Sequence, residues 1–368
     1  MRKSFIFIIG ICFFLLIIRT QNIKEFFSAK EFIDNHFSKN YDIEYNKNNK
    51  KSDCIFVSIA SYRDSECSKT VKLLYEMAHE PEKIFCGIVS QNADNHPEEE
   101  CLPNNFKFNN QIKIKRLNNK DAKGPTWGRY LASHLWDGEE YYFQIDSHIF
   151  VKKDWDIKIK EIYKTCPSEK SILSHYPPAE DKDDYSTHTC SSHYENNFHI
   201  ISEAKVISKQ DKPFRTPYVA AGLLFGKSEF LNDIPFDPYL PYLFQGEEIL
   251  LATRFWTHGW DIYNLPYPIA VHNYDRDDKP RFWNDNSHKN WGDVQNKINQ
   301  RYYYLIGQNN NNKIEDFFIK NEKKLGMGNE RTVQSWFEFA GIDTENKKVN
   351  SRCGYLFDEI KNEWIKSN

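Results

Sequence analysis

At 368 residues the chain has room for one large catalytic domain or two small ones. Hydrophobic residues make up 40% and charged residues 27%, an ordinary globular balance with ample material for a core. A net charge of −3 gives no basic footprint for nucleic acid, so no nucleic-acid partner is expected.

The N-terminus carries the first signal. Arg2-Lys3 precedes a fourteen-residue apolar run, Phe5 to Ile18, closed by Arg19. At about 1.5 Å per residue the run covers about 21 Å, short of a hydrocarbon core of about 30 Å. Its length also suits a cleaved signal peptide, but no Ala-x-Ala-like cleavage site follows. The expectation is an uncleaved signal-anchor over residues 1–19, with the N-terminus cytosolic and the rest in the Golgi or ER lumen. That makes a single-pass type II membrane protein; a secreted or cytoplasmic chain is the alternative. Residues 20–52 read as a stem, with helical spacing from Ile23 to Phe37 and a solvated Asn/Lys-rich linker from Lys39 to Lys51. The eight cysteines are scattered and form no CxxC pair, which argues against a zinc site. In an oxidising lumen some would pair, with a connectivity that spacing does not reveal.

The globular part opens at Cys54-Ile55-Phe56-Val57-Ser58-Ile59-Ala60, a buried strand followed by the polar loop Ser61-Tyr62-Arg63-Asp64. Thr70 to His79 has the spacing of an amphipathic helix stopped by Pro81, and Ile84–Ser90 and Ile112–Leu117 are further strands. Strand-helix-strand order predicts an α/β fold with a mostly parallel central sheet. Gly124-Pro125-Thr126-Trp127-Gly128-Arg129 is a loop feeding a helix.

After the turn Asp137-Gly138-Glu139-Glu140, the run Tyr141 to Ile145 predicts a buried strand ending at Asp146-Ser147-His148. Residues two apart on a strand share a face, so Asp146 and His148 would converge on one ion while Ser147 points away. The carboxyl end of such a strand is where an α/β sheet usually places its ligand. Lys164 to Thr187 reads as a long loop, and Pro217 to Gly226 as a small-residue loop running into a strand. Glu247 and Glu248 open a helix over Ile249–His258, where acidic residues also serve as caps and dipole partners. Tyr267 to Val271 is an apolar run delivering His272, a residue that taken alone reads as structural.

The ordered set Ile59-Ala60-Ser61-Tyr62-Arg63-Asp64, Gly124-Pro125-Thr126-Trp127-Gly128-Arg129, Asp146-Ser147-His148, Gly246-Glu247-Glu248 and Ala270-Val271-His272 resembles the polypeptide α-N-acetylglucosaminyltransferases. These include a cytoplasmic enzyme acting on hydroxyproline and Golgi enzymes that start mucin-type glycans in protozoa. Leu325 to Thr332 and Gly341-Ile342-Asp343 are similar to the end of that family's domain, so the resemblance covers residues 53–345 and leaves 346–368 as a C-terminal tail. Stretches around Asp146, Gly222, Glu247 and His272 are also similar to the polypeptide N-acetylgalactosaminyltransferases.

The resemblance implies a GT-A fold, UDP-GlcNAc as donor, Mn²⁺ and retention at the anomeric carbon. It also implies a Ser, Thr or hydroxyproline hydroxyl of a polypeptide as acceptor. Asp146 and His148 match its Asp-x-His metal motif and His272 its distant third ligand. Ser61, Tyr62, Arg63 and Asp64 would then hold the uracil and ribose, and Arg129 a phosphate or the ribose. Gly222, with Ala220 and Ala221, would let backbone approach the sugar. Glu247 or Glu248 would serve as the catalytic carboxylate, bonding sugar hydroxyls or the acceptor. A front-face route stays open, and no nucleophile is assigned. UDP-GalNAc is the competing donor. An inactive sugar-binding homologue and a metal-dependent hydrolase are the competing classes; the hydrolase would need further clustered carboxylates for a second ion, which the spacing does not supply.

Overall fold

The computed structural model describes residues 30–45, 49–196, 199–286, 291–309 and 315–367. The expected signal-anchor, residues 1–19, lies outside them, and no described helix is long and apolar enough to cross a membrane. A helix over residues 30–38 (α1) leads to β1 (Lys51–Tyr62), α2 (Cys67–Glu76), β2 (Ile84–Asn92), β3 (Ile112–Asn118), α3 (Pro125–Ser133) and β4 (Glu139–Asp146). Next come β5 (Ile149–Val151), α4 (Trp155–Lys164), β6 (Ser171–Ser174), β7 (Ser186–Glu195), β8 (His199–Ile207), β9 (Phe214–Thr216) and β10 (Leu223–Lys227). The short α5 (Phe230–Asp233), α6 (Glu247–Thr257), β11 (Asp261–Asn264), β12 (Ala270–His272), α7 (Phe282–Asp285) and α8 (Trp291–Leu305) follow. The chain closes with α9 (Glu322–Leu325), α10 (Val333–Ala340) and the short strands β13 (Ile342–Asp343), β14 (Lys348–Val349), β15 (Tyr355–Asp358) and β16 (Glu363–Lys366).

Eight strands form one sheet in the order β3-β2-β1-β4-β10-β6-β11-β9. The pairs β3/β2, β2/β1, β1/β4 and β6/β11 are parallel, and β10 runs antiparallel between β4 and β6. The expected mostly parallel sheet is therefore present. Both of its faces are covered, which is why its central strands are near-continuous apolar runs. Alternation along β1 sends Phe56 into one core, with Trp127 and Tyr142, and Ile55, Val57 and Ile59 into the other, with Val71, Leu74 and Trp155. The carboxyl ends of β1 and β4 open on the same edge of the sheet, and β12 joins them through its ladder with β5.

Three expectations need correction. The stretch from Lys164 to Thr187 is not one loop, because Ser171-Ile172-Leu173-Ser174 forms β6, buried between β10 and β11. Its apolar core is only two residues long, too short to announce a strand. Second, β4 ends at Asp146, and Ser147-His148 is a turn into β5, so His148 does not share a strand face with Asp146. Third, the described part of the supposed stem is docked on the domain: Phe37 and Tyr45 are buried. His36 Nε2 lies 2.8 Å from the Pro238 carbonyl, and Tyr130 Oη donates to Asp42 O at 2.8 Å. Its aromatic residues bury too much surface to remain a solvated linker. The C-terminal segment, described to residue 367, contributes β14 and the β15/β16 hairpin, tied back by the disulfide Cys190–Cys353. A second disulfide joins Cys67 and Cys101.

Candidate active site

Asp146, His148 and His272 come together at the sheet edge, each offering a ligand atom, all within 4.8 Å of one another. The imidazoles meet edge to face at 4.6 Å between centroids. His148 is aimed by a neighbour from β1's loop: its Nδ1 donates to Asp64 Oδ2 at 2.8 Å. That bond leaves Nε2 with the lone pair, the arrangement a metal-ligating histidine typically has. His272 holds Nε2 3.7 Å from Asp146 Oδ2, too long for a hydrogen bond. Its buried Nδ1 has no partner among the described residues. The fold therefore does not satisfy the His272 ring by itself, and one carboxylate with two imidazoles is a donor set suited to Mn²⁺.

The carboxylate is fixed as firmly as the rings. Asp146 N donates to Gly222 O at 3.2 Å, and a Cβ on Gly222 would stand 2.8 Å from Asp146 Oδ2. Only glycine leaves that oxygen open. Arg129, from the second turn of α3, donates through Nη2 to Asp146 Oδ1 at 3.1 Å and through Nη1 to Glu247 Oε1 at 2.6 Å. Burial alone would raise the Asp146 carboxyl; the His272 imidazole and the Arg129 guanidinium outweigh it and hold the group well below the usual carboxylate range. Burial dominates at Glu247 and pushes its carboxyl up despite Arg129.

Glu247 and Glu248 open α6 behind Gly246, whose φ of +91° is the left-handed conformation that glycine adopts freely. Glu248 Oε1 accepts from Ala221 N at 2.8 Å, and Oε2 accepts from Tyr176 Oη. Burial pushes the Glu248 carboxyl up to about 7. These groups line a cavity of about 320 Å³ that contains Arg129, Asp146, Gly222, Glu247, Glu248 and His272.

The loop expected to hold the nucleoside is engaged within the protein. Asp64 is 1% exposed and also accepts from Ser147 Oγ at 2.5 Å and Arg276 Nη1 at 3.0 Å. It is a support for His148 rather than a free ligand group. Tyr62 Oη and Arg63 Nη1 both donate to Asp285 Oδ2 at 2.8 Å. Ser61 is buried in β1, and none of Ser61 to Asp64 lines the cavity. Arg129, expected to meet a phosphate or the ribose, is occupied by Glu247 and Asp146.

Tyr176, Phe244, Tyr274 and Arg276 escaped the sequence reading. Tyr274 had a signal, lying two residues past His272. Tyr176 follows β6, the strand mistaken for loop.

A family model described as Glycosyltransferase (GlcNAc) matches residues 54–107 and 96–346. No curated protein matches the chain. Among solved structures, the chain resembles GalNAc-T7 with UDP, GalNAc and Mn²⁺ at 14% identity and a TM-score of 0.55. The match covers 86% of this chain and 63% of the GalNAc-T7 chain, so the chain spans less than two thirds of that structure. S. aureus TarS 1–349 in complex with UDP aligns at 14% identity and a TM-score of 0.41, covering 73% of this chain and 69% of the other. The fold is of the GT-A type, and the chain belongs to the Glycosyltransferase (GlcNAc) family.

Proposed function

We propose that the protein is a metal-dependent, retaining transferase that moves N-acetylglucosamine from UDP-GlcNAc to a hydroxyl of a polypeptide. The observation that carries this reading is the Asp146, His148 and His272 cluster, with its unsatisfied His272 ring, beside a cavity floored by Gly222. The sugar and acceptor rest on the motifs that resemble the polypeptide GlcNAc-transferases.

Asp146, His148 and His272 would hold the ion, which when bound neutralises charge growing on the departing diphosphate. Asp64 keeps His148 Nε2 turned toward it, and Arg129 keeps Asp146 ionised. Gly222 and Ala221 would give the sugar a floor with no side chain larger than a methyl group. Glu248, anchored by Ala221 N and Tyr176, stands in position to orient a sugar or acceptor hydroxyl. In a front-face course the bond from C1 to the phosphate oxygen breaks as the acceptor oxygen bonds C1 on the same face. The leaving phosphate takes the hydroxyl proton.

With full-length protein, Mn²⁺ and a set of hydroxyl peptides, UDP-GlcNAc is expected to give the highest kcat/KM among sugar nucleotides. UDP-GalNAc, differing at one epimeric hydroxyl, is the competitor to beat. Another donor ahead by more than about 10-fold, or about 1.4 kcal/mol of transition-state binding, overturns the assignment. Absence of turnover with every donor leaves the inactive sugar-binding homologue.

We also propose a type II topology with the catalytic domain lumenal. The apolar run Phe5–Ile18 behind Arg2-Lys3 supports it, and so do the disulfides Cys67–Cys101 and Cys190–Cys353, which suit an oxidising compartment. Protease added to sealed microsomes is expected to spare the large domain until detergent is present; digestion without detergent refutes the topology.

A further inference from the structure

The loop Ala220-Ala221-Gly222 has almost all of its backbone polar groups engaged within the protein. Ala220 N donates to Ser174 Oγ at 2.9 Å, and Ala221 N donates to Glu248 Oε1 at 2.8 Å. Gly222 O accepts from Asp146 N at 3.2 Å. The Ala221 carbonyl is held by Gln144 of β4, whose Nε2 donates to it at 2.6 Å. A carbonyl only accepts, so the amide nitrogen of Gln144, and not its oxygen, must face it. One backbone donor is left over. Gly222 N makes no hydrogen bond among the described residues.

The Ala221 carbonyl and the Gly222 N–H belong to one peptide group, and in a trans peptide the two point in opposite directions. Gln144 is 1% exposed and stands behind the cavity wall, whereas Ala221 and Gly222 line it. Drawing the carbonyl back to Gln144 therefore turns the N–H toward the cavity. The arrangement costs stability. Gln144 Oε1 is buried with no partner among the described residues, on an amide set in the aromatic and aliphatic run Tyr141 to Ile145. An apolar side chain would suit that core better, so what the amide supplies is its bond to the loop.

In the transfer reading above, the divalent ion on Asp146, His148 and His272 takes the diphosphate oxygens. The neutral N–H of Gly222, beside Asp146, is then left with the oxygens of the sugar. Building on that reading, we propose that Gln144 is a positioning residue of the donor site: by holding the Ala221 carbonyl it turns the Gly222 N–H onto a sugar oxygen of UDP-GlcNAc. Gln144 itself touches neither the donor nor the ion.

The test is calorimetric titration of full-length protein in detergent, with Mn²⁺ in excess, by UDP and by UDP-GlcNAc. Gln144→Met keeps the length of the side chain and drops the donor. It is expected to weaken UDP-GlcNAc about 10-fold, the upper range for one hydrogen bond, and to leave UDP within about 2-fold. Gln144→Asn keeps a buried amide but stops one carbon short of the carbonyl. It should give the same split, and it carries the test if the methionine variant does not fold. Ser174→Ala loosens the loop at Ala220 without touching the peptide group that carries the Gly222 N–H, and should not separate the two ligands. A loss shared equally by UDP and UDP-GlcNAc, or no loss, overturns the proposal. The same split in Ser174→Ala also overturns it, because any loosening of the loop would then suffice. If wild type binds both ligands and the Gln144 variants keep them together, the positioning role fails while the donor reading stands. If wild type binds UDP but not UDP-GlcNAc, both fail.

Discussion

Asp146→Asn, His148→Ala and His272→Ala are each expected to cut sugar transfer about 1,000-fold while leaving the domain folded. The three groups arrive from two strand ends and a turn, yet their ligand atoms fall within 4.8 Å of one another. If they share one ion, each removal weakens the same stabilisation of the leaving phosphate. That stabilisation is worth several kcal/mol, and losing about 4 kcal/mol corresponds to about 1,000-fold in rate. Because the ion is shared, any two substitutions together should cost little more than one. Chelation of wild type should reproduce the loss, and Mn²⁺ should restore it. Calorimetric titration of Mn²⁺ gives a readout independent of turnover. Asp64→Asn, which removes the charge that supports His148, should lower Mn²⁺ affinity by about 10- to 100-fold. Full activity in chelator, or wild-type Mn²⁺ affinity in His272→Ala, sinks the three-ligand site.

The features legible in the sequence were those carried by local pattern. Apolar runs such as Ile55-Phe56-Val57 announce strands because a two-sided parallel sheet leaves no polar face to interrupt them. Asp146 and His148 could be paired because so short a spacing keeps them close whether the chain is strand or turn. Distant partnerships had no such signal. His148 and Asp64 are 84 residues apart, and Cys190 and Cys353 are 163 apart. The loop after β1 reads as a nucleoside site because its polar residues follow a buried strand, and that reading says nothing of where each side chain turns. What directs Asp64 inward is Ser147, His148 and Arg276, and no local pattern encodes that meeting. The segment before β1 looked solvated because Asn and Lys dominate its composition. The rings between those residues decide its packing: Tyr41 meets Trp127 at 5.3 Å and Tyr239 at 5.2 Å.

Arg129→Met is expected to destabilise the fold by about 3–5 kcal/mol, the usual result of removing one partner from a buried ion pair. Arg129 is only 8% exposed and bridges Glu247 and Asp146, which converge on it from α6 and β4. Methionine fills much of the stem's volume, so the loss reports charge more than packing. What remains is the buried Glu247 carboxylate and the half-buried Asp146 carboxylate without their shared cation. Glu247, whose carboxyl burial already pushes up beside Arg129, should rise further. A carboxyl raised in the folded state stabilises the fold where it is protonated, and that contribution is lost as pH rises through its folded value. The deficit of Arg129→Met against wild type should therefore be smaller near pH 5 than at pH 7 and above, the share that comes from Asp146 persisting at both. Adding Glu247→Gln removes the ionisable group and should recover part of the loss at pH 7 while changing little at pH 5. Arg129→Lys keeps the charge but lacks the planar fork that reaches both carboxylates, and should fall between wild type and Arg129→Met. Urea unfolding followed by tryptophan fluorescence at the two pH values, in chelator so that metal binding does not contribute, checks all of this. A deficit independent of pH, or no recovery in the double variant, would mean that Arg129 acts through packing and not as the shared counter-charge of Asp146 and Glu247.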